Sequence, residues 1–279
     1  MDEVETPAGA LLARLRERLR GEQRLIVAYS GGVDSALVAA VATEVLGDRA
    51  VAVTAVSSSL PAAERRAARE LARARGIAHV EVRTDEIERP EYVANAGDRC
   101  YHCKSALFDA VEPLATLSGA NVALGTNVDD LGDHRPGQHA AAARGAIAPL
   151  CDVGFGKAEV RRVSAALGLS TAAKPAAACL ASRVAYGEPV TEELLHRIEV
   201  AEEAVRALGF PVCRVRSHGD GAVARVEVPA DEVDRAAGLR TDLDAAVRGA
   251  GFAFCALDLQ GFASGRMNVL LGMPAAAAR

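Results

Sequence analysis

The segment Ser30-Gly31-Gly32-Val33-Asp34-Ser35 follows the short apolar run Arg24 to Tyr29 and opens the apolar stretch Ala36 to Leu46, which stops at Gly47. The order is strand, glycine turn, buried helix. Two glycines let the backbone approach an anion with no side chain in the way. The helix N-terminus presents unpaired N–H groups and two hydroxyls add donors, so the turn suits a phosphate group. Asp34 can help hold a magnesium ion there. A bare Gly-Gly would be an ordinary turn, but hydroxyls and an acid have no packing role in so tight a bend. A Walker-type phosphate loop is excluded, since Gly156-Lys157 is followed by Ala158 and not by Ser or Thr.

The same unit recurs on either side of this turn. Leu11, Leu12, Leu15 and Leu19 at helical spacing predict a helix ending at Gly21. Downstream come a strand over Ala50 to Val56, a helix over Pro61 to Arg75, a strand over His79 to Arg83, a helix near Lys104 to Leu117 and a strand over Asn121 to Leu124. Strands alternating with helices predict an α/β fold, a doubly wound parallel sheet covered on both faces. Thr126 to Ala148 turns polar and small, a loop expected at the carboxyl edge of the sheet, and a helix over Lys157 to Leu167 follows. Ala172 to Ala178, interrupted by Pro175, reads as the approach to a boundary between domains 1–178 and 179–279. The second is expected to be a smaller α+β module. It has a helix from the N-cap Thr191 to Leu208, strands over Val212 to Ser217 and Ala222 to Val228, two short helices near Asp231 to Ala237 and Thr241 to Arg248, and strands over Phe252 to Leu259 and Met267 to Leu271.

Composition narrows the partners. Net charge is -5, so nothing in the bulk balance promotes nucleic acid as a partner. The longest apolar runs are far too short to span a bilayer, and Met1 to Thr6 carries acids and no basic leader, so no membrane is expected and the reading is cytoplasmic. Six cysteines in 279 residues are too sparse for a disulfide scaffold and are expected to stay reduced. Lys104, Lys157 and Lys174 are the only lysines, every other one of the 32 basic residues being arginine. A coding bias explains the arginines, and a lysine kept against it can be one that chemistry requires.

The hexapeptide resembles the pyrophosphatase loop of the N-type ATP pyrophosphatases, which adenylate an oxygen and release pyrophosphate. That resemblance implies that Ser30, Gly31, Gly32, Asp34 and Ser35 hold the ATP phosphates, with Asp34 and Ser35 catalytic, and that Val53 to Ser57 line the adenine pocket. Further segments extend it: Gly125-Thr126-Asn127-Val128-Asp129-Asp130 with Asp133 and Arg135-Pro136-Gly137, then Cys179-Leu180-Ala181-Ser182-Arg183, then Asp258-Leu259-Gln260-Gly261-Phe262 with Gly265-Arg266-Met267-Asn268. Together these look like the LarE family, ATP-dependent sulfur transferases of nickel-pincer nucleotide synthesis, over nearly the whole chain. Phe262 and Arg266 stand where that family usually has Tyr and Ser. The resemblance implies that Gly125, Thr126 and Asp129 join the ATP site and that Ser182 and Arg183 contact a small-molecule substrate. In that family the substrate is a pyridinium biscarboxylate mononucleotide, which the resemblance implies here. A homo-oligomer is also expected.

Cys179 stands where single-cysteine members give up their own sulfur and become dehydroalanine. Cys100-Tyr101-His102-Cys103-Lys104 adds two thiols three apart, able to bind one metal centre but too few to complete it. Members with cysteines in both places resemble a subgroup in which three thiolates, here Cys100, Cys103 and Cys179, hold a [4Fe-4S] cluster with one iron open to sulfide or another sulfur donor. That version is preferred over sacrifice of Cys179. A zinc half-site or a redox pair at Cys100 and Cys103 stays open. Cys151, Cys213 and Cys255 read as packed small hydrophobes. Arg214 and Arg216 alternate on a strand, which puts both guanidinium groups on one face to clamp a substrate phosphate. Glu199 and Glu202 share a helix face read as solvated. Rival readings are an amidotransferase, a transfer-RNA-thiolating relative, or a nucleotide-sensing or iron-sulfur carrier protein. The absence of a basic stripe, of an N-terminal cysteine nucleophile and of a zinc-ribbon pair weighs against the first two.

Overall fold

In the computed structural model, residues 7–132, 136–175, 178–263 and 266–271 are described. In chain order the elements are α1 (Pro7–Arg20), β1 (Leu25–Ala28), α2 (Val33–Leu46), β2 (Ala50–Val56), α3 (Ala62–Ala74), β3 (His79–Arg83), α4 (Pro90–Ala94), α5 (Arg99–Ser118), β4 (Asn121–Ala123), α6 (Pro136–Ala143), α7 (Pro149–Val153), α8 (Lys157–Ala166), α9 (Glu192–Ala207), β5 (Arg214–His218), β6 (Val223–Glu227), α10 (Val233–Gly238), α11 (Arg240–Gly249) and β7 (Phe254–Leu257). They form two compact units, Met1–Asp85 with Cys100–Ala177, and Glu86–Arg99 with Ala178–Arg279.

The first unit is an α/β layer structure around a parallel sheet of order β3-β2-β1-β4. Alternation along β1 sends Leu25 and Val27 to one face and Ile26 to the other. On the first face Leu15 and Leu19 of α1, Leu37 and Val41 of α2, Leu71 of α3 and Val160 of α8 close one core, and burying such side chains contributes roughly 1.5–3 kcal/mol each. On the second, Ile26 and Val53 meet Leu107 and Val111 of α5. Both faces are therefore covered, as parallel strands require. The strand order reverses direction beside β1. The turn after β1 and the loop after β4 thus flank a topological switch point at the carboxyl ends of the strands, where open α/β sheets bind ligands.

The second unit holds a three-stranded sheet of order β5-β6-β7, antiparallel between β5 and β6 and parallel between β6 and β7. Its α9 is capped by Thr191, whose Oγ1 accepts the Leu194 N–H at 3.2 Å. The segment 86–99 belongs to this unit, where the sequence reading counts it with the first domain. Asn95 is the reason. It sits fully buried at φ 53°, and its Nδ2 donates to the carbonyls of Ala185 (2.9 Å) and Glu188 (3.2 Å) while its Oδ1 accepts from Arg99. Backbone bonds from Val190 N–H to Val93 O and from Gly187 N–H to Asn95 O add to this anchor.

The short helices α4 and α7 are additional to the expectation, and three further elements differ from it. Helix α5 starts at Arg99 and not near Lys104, so Cys100 and Cys103 lie on its first turn; the Arg99 bond to Asn95 supports a start that Cys, Tyr and His favour only weakly. The polar stretch expected to be all loop contains α6, one side of which, Ala141, packs on Phe108 and Leu124. Arg266–Leu271, read in part as a strand, is a 3-10 turn, because Arg266 Nη1 reaches back to Gly261 O (2.6 Å) and Asp258 Oδ1 (2.9 Å) and curls the chain. No described helix is long and apolar enough to cross a membrane.

Candidate active site

In the first unit, Gly31 takes φ +70°, and a Cβ there would stand 2.9 Å from the Ala68 Cβ of α3. The Ser30 and Ser35 hydroxyls lie 3.1 Å apart, Ser35 Oγ donates to Gly32 O (3.2 Å) and the Ser30 N–H donates to Ser35 Oγ (3.2 Å). These bonds brace the turn from within. Gly125, leaving β4, presses against its far side, where a Cβ would come within 2.6 Å of Ser35 N. Only glycine permits that approach.

Asp34 points from the start of α2 into a set of donors. Its Oδ1 accepts from Asn127 Nδ2 (3.0 Å) and its Oδ2 meets Lys157 Nζ (2.5 Å). Asp129 Oδ2 accepts the Lys157 backbone N–H at 2.7 Å, and the Val128 N–H donates to Phe155 O at 2.9 Å, so the loop after β4 is tied to the first residue of α8. Asn127 Oδ1 and Asp130 Oδ2 cap this loop by accepting the Asp129 and Asn127 N–H groups. Lys174 Nζ donates to Gly31 O (3.0 Å) and pairs with Glu64 Oε2 (2.6 Å). Two of the three lysines thus converge on the turn from separate elements. Both were missed as site residues, although their survival in an arginine-biased chain was the available signal. Behind the turn Tyr29 is buried, its hydroxyl donating to Ala68 O, and burial pushes it up to about 12.

The expected residues fall into place unevenly. Ser30, Gly31, Gly32, Asp34, Ser35, Gly125 and Asp129 gather in this one region, and Thr126 accepts the Cys151 thiol (3.2 Å) on its carbonyl beside it. The Val53 side chain is 1% exposed in the core below α5, so it does not line an open pocket; its carbonyl accepts the Tyr29 N–H. The reason is register, which points Val53 at the same face as Ile26. Asp133, Arg135 and Gly265 lie outside the described residues.

In the second unit, Cys179 is half-buried and precedes a 3-10 turn, Leu180–Arg183. Its carbonyl accepts from Ser182 N–H (3.1 Å), Ser182 Oγ (2.7 Å) and Arg183 Nη1 (2.9 Å). Arg183 also donates to Ala178 O (2.6 Å) and pairs with Glu202 through Nε (2.9 Å) and Nη2 (3.3 Å). Both partners are buried, which corrects the reading of Glu202 as part of a solvated helix face. Glu202 additionally accepts from Arg206 and from the Val215 N–H (3.2 Å). Arg216 is buried too, with Nε on Glu227 (3.0 Å) and Nη1 on Ser182 O (3.0 Å). Arg183 and Arg216 therefore carry the frame of the Cys179 segment. Arg214 donates to Cys213 O (2.7 Å) and lies over the Phe262 ring at 5.1 Å.

Cys100, exposed, and Cys103, half-buried, are one turn apart on α5 in the first unit, a spacing that puts both thiols on one side of the helix. This pair fits two points of attachment to one metal centre. Within neither unit do three His, Cys, Asp or Glu side chains gather into a metal-holding group among the described residues. Cys213 is buried, and burial pushes its thiol, like that of Cys255, up to about 11. Cys213 is packed as expected, whereas Cys255 and Cys151 are only half-buried.

Residues 8–106 match the family model described as asparagine synthase. The chain is 45% identical over 266 residues to an uncharacterised protein of Synechocystis sp., covering 93% of this chain and 97% of the relative. It is 34% identical over 270 residues to the pyridinium-3,5-bisthiocarboxylic acid mononucleotide synthase of Lactiplantibacillus plantarum, covering 96% of each. An uncharacterised protein of Methanocaldococcus jannaschii is 26% identical over 217 residues, covering 76% of this chain and 81% of that one.

Proposed function

The chain belongs to the LarE family of ATP-dependent sulfur transferases, and on that premise we propose that it uses ATP to adenylate a carboxylate of pyridinium-3,5-biscarboxylate mononucleotide and converts it to the thiocarboxylate, releasing AMP and pyrophosphate. The observation that carries this reading is the Ser30–Ser35 turn at the sheet's switch point, backed by Gly125 and aimed so that backbone N–H groups and Asp34 share one region.

In the first half-reaction a substrate carboxylate oxygen attacks the ATP α-phosphorus and pyrophosphate leaves. The turn's N–H groups and the hydroxyls of Ser30 and Ser35 hold the phosphates and stabilise charge on the departing oxygens. Asp34 is the carboxylate suited to magnesium, which when bound would neutralise phosphate charge. In the second half-reaction sulfur replaces AMP on the acyl carbon. Cys179 belongs to that step, its backbone fixed by Arg183. Arg214, at the edge of β5, is the guanidinium that would take the mononucleotide phosphate, while Arg183 and Arg216 hold the frame around it. For the sulfur source we favour a [4Fe-4S] cluster attached through Cys100, Cys103 and Cys179, which when bound would supply sulfide at an iron without a cysteine ligand. The need for ATP and reduced thiols makes the cytoplasm its compartment.

The test is anaerobic turnover with ATP and the biscarboxylate mononucleotide. Wild-type chain should form AMP and pyrophosphate, Asp34→Ala and Ser35→Ala should form neither, and Arg214→Ala should raise KM for the mononucleotide more than for ATP. Cys100→Ala, Cys103→Ala and Cys179→Ala should each lose iron and multiple turnover. If wild-type chain loses one sulfur's mass at Cys179 per turnover while the Cys100 and Cys103 variants stay active, the cluster is wrong and Cys179 is the donor.

A further inference from the structure

We infer that His79 and Thr54 are positioning residues for the Ser30–Ser35 turn, His79 orienting the Thr54 hydroxyl so that it holds the Tyr29 carbonyl where β1 leaves the sheet; this rests on the ATP-cleaving reading above. The paired register of β1 on β2 ends at Ala28 opposite Val53. Just beyond it the Tyr29 N–H donates to Val53 O at 2.8 Å, and Tyr29 O, the last carbonyl before Ser30, accepts from Thr54 Oγ1 at 2.7 Å. A side-chain hydroxyl thus ties the chain down at the point where it bends out of the sheet. Thr54 and Tyr29 are each 2% exposed, so this tie is made away from solvent.

Counting protons gives each bond its direction. A hydroxyl carries one hydrogen and a carbonyl cannot donate, so the Thr54 proton lies on Tyr29 O. The 2.8 Å contact between Thr54 Oγ1 and His79 Nε2 is then an N–H donated by the ring. Burial lowers the His79 pKa below its ordinary value, with Glu81 opposing and Arg69 reinforcing the shift, so the ring is neutral at neutral pH and its single proton sits on Nε2. Tyr29 O and the Ser30 N–H belong to one planar peptide unit, so holding the carbonyl also aims that N–H, which Ser35 Oγ accepts at 3.2 Å. The chain of bonds therefore runs from His79 through Thr54 and the Tyr29–Ser30 peptide to the Ser35 hydroxyl, which passes its own proton to Gly32 O. The far end of Tyr29 is fixed as well. Its ring meets the His79 ring edge-on, centroids 5.4 Å apart, and its hydroxyl donates to Ala68 O at 3.1 Å, on the residue whose Cβ packs against Gly31. The turn so starts from a defined place, and definition matters because a misplacement of about 1 Å can cost roughly 100-fold in rate.

The experiment compares Thr54→Val with Thr54→Ser, and His79→Leu with His79→Gln, in the full chain. Val keeps the shape of Thr and loses the donor, whereas Ser keeps the donor and loses a methyl. Leu and Gln divide His79 in the same way, the Gln amide supplying an N–H. ATP–pyrophosphate exchange with the biscarboxylate mononucleotide present should fall about tenfold in kcat for the Val and Leu variants and stay within about twofold of wild type for Ser and Gln. Hydrogen exchange at the Ser30 amide, read without nucleotide, should be about tenfold faster in Thr54→Val and unchanged in Thr54→Ser. Nitrogen NMR of the wild-type ring, assigned by the signal missing from His79→Gln, should show the proton on Nε2 at about pH 7.5. A packing role predicts the reverse order, with Val active and Ser impaired. That order overturns the assignment, as do equal activity in all four variants, an unchanged Ser30 amide in Thr54→Val, or a ring protonated on Nδ1 alone. A wild-type chain that exchanges no pyrophosphate overturns the ATP-cleaving reading instead, while the amide and ring signals still judge the bonds.

Discussion

Replacing Glu202 by Gln should destabilise the second unit far more than its place on a helix suggests. Glu202 and Arg183 keep only 1% and 3% of their side chains exposed, and the carboxylate serves Arg183 Nε and Nη2, Arg206 Nη2 and the Val215 N–H together. Gln conserves shape but removes the charge, leaving the Arg183 guanidinium buried without its counter-ion. Removing one partner of a buried pair costs about 3–5 kcal/mol, whereas an exposed pair contributes about 0–1 kcal/mol. The Arg206 contact, with that side chain 35% exposed, adds little to this. Because the Gln carbonyl can still accept one bond, the lower end applies, a loss of about 3 kcal/mol, or a Tm decrease of roughly 6–12 °C. Urea and thermal unfolding followed by circular dichroism measure it, at low and at high salt. The loss should persist at high salt, since ions do not screen a desolvated pair. Arg183→Met combined with Glu202→Leu should recover most of it, because the two buried charges then leave together. Arg183→Met should also speed hydrogen exchange at the Ser182 amide, whose acceptor is the Cys179 carbonyl that Arg183 holds. A loss below about 1 kcal/mol, or one that vanishes with salt, would refute the claim that this pair is desolvated and frames Cys179.

Three further outcomes are expected. Gly125→Ala places a Cβ 2.6 Å from Ser35 N and 2.9 Å from the Asp34 carbonyl carbon, both backbone, so the turn must shift; ATP–pyrophosphate exchange should fall about 100-fold with the far-UV spectrum retained. Under native conditions at about pH 8, an alkylating reagent should label exposed Cys100 well before Cys213, because only thiolate reacts and burial holds the Cys213 thiol near 11; peptide mass spectrometry gives the order. Hydrogen bonds from Arg65 and then Arg69 hold Glu81 down at about 2, so its contribution to stability is complete above the ordinary value of 4.5 and is lost as pH falls from there toward 2. Urea unfolding should therefore show wild type more stable than Glu81→Gln at neutral pH, with the difference shrinking on acidification through that window.

Local pattern made the first unit legible. The strand, glycine turn and helix around Ser30–Ser35, the β-α alternation and the cap at Thr191 all depend on residues within a few positions of one another, and burial periodicity plus backbone sterics are enough to read them. The gathering of hydroxyls and an acid at this turn was legible for the same reason, since they come from one hexapeptide. What the sequence could not carry was the partner of each buried charge. Glu202 looks like any helix-surface acid until the fold brings Arg183 to it from 19 positions upstream. Lys157 lies 123 positions from Asp34 and Lys174 lies 143 from Gly31, so no spacing rule links them. The membership of 86–99 likewise turns on one buried amide at Asn95, which meets Ala185 only after chain reversal. Short-range order is written by propensity and period, which act between neighbours. A buried ion pair or a glycine's close approach exists only between surfaces that packing has already joined, and there tertiary structure alone decided which arginine builds the frame and which lysine faces the turn.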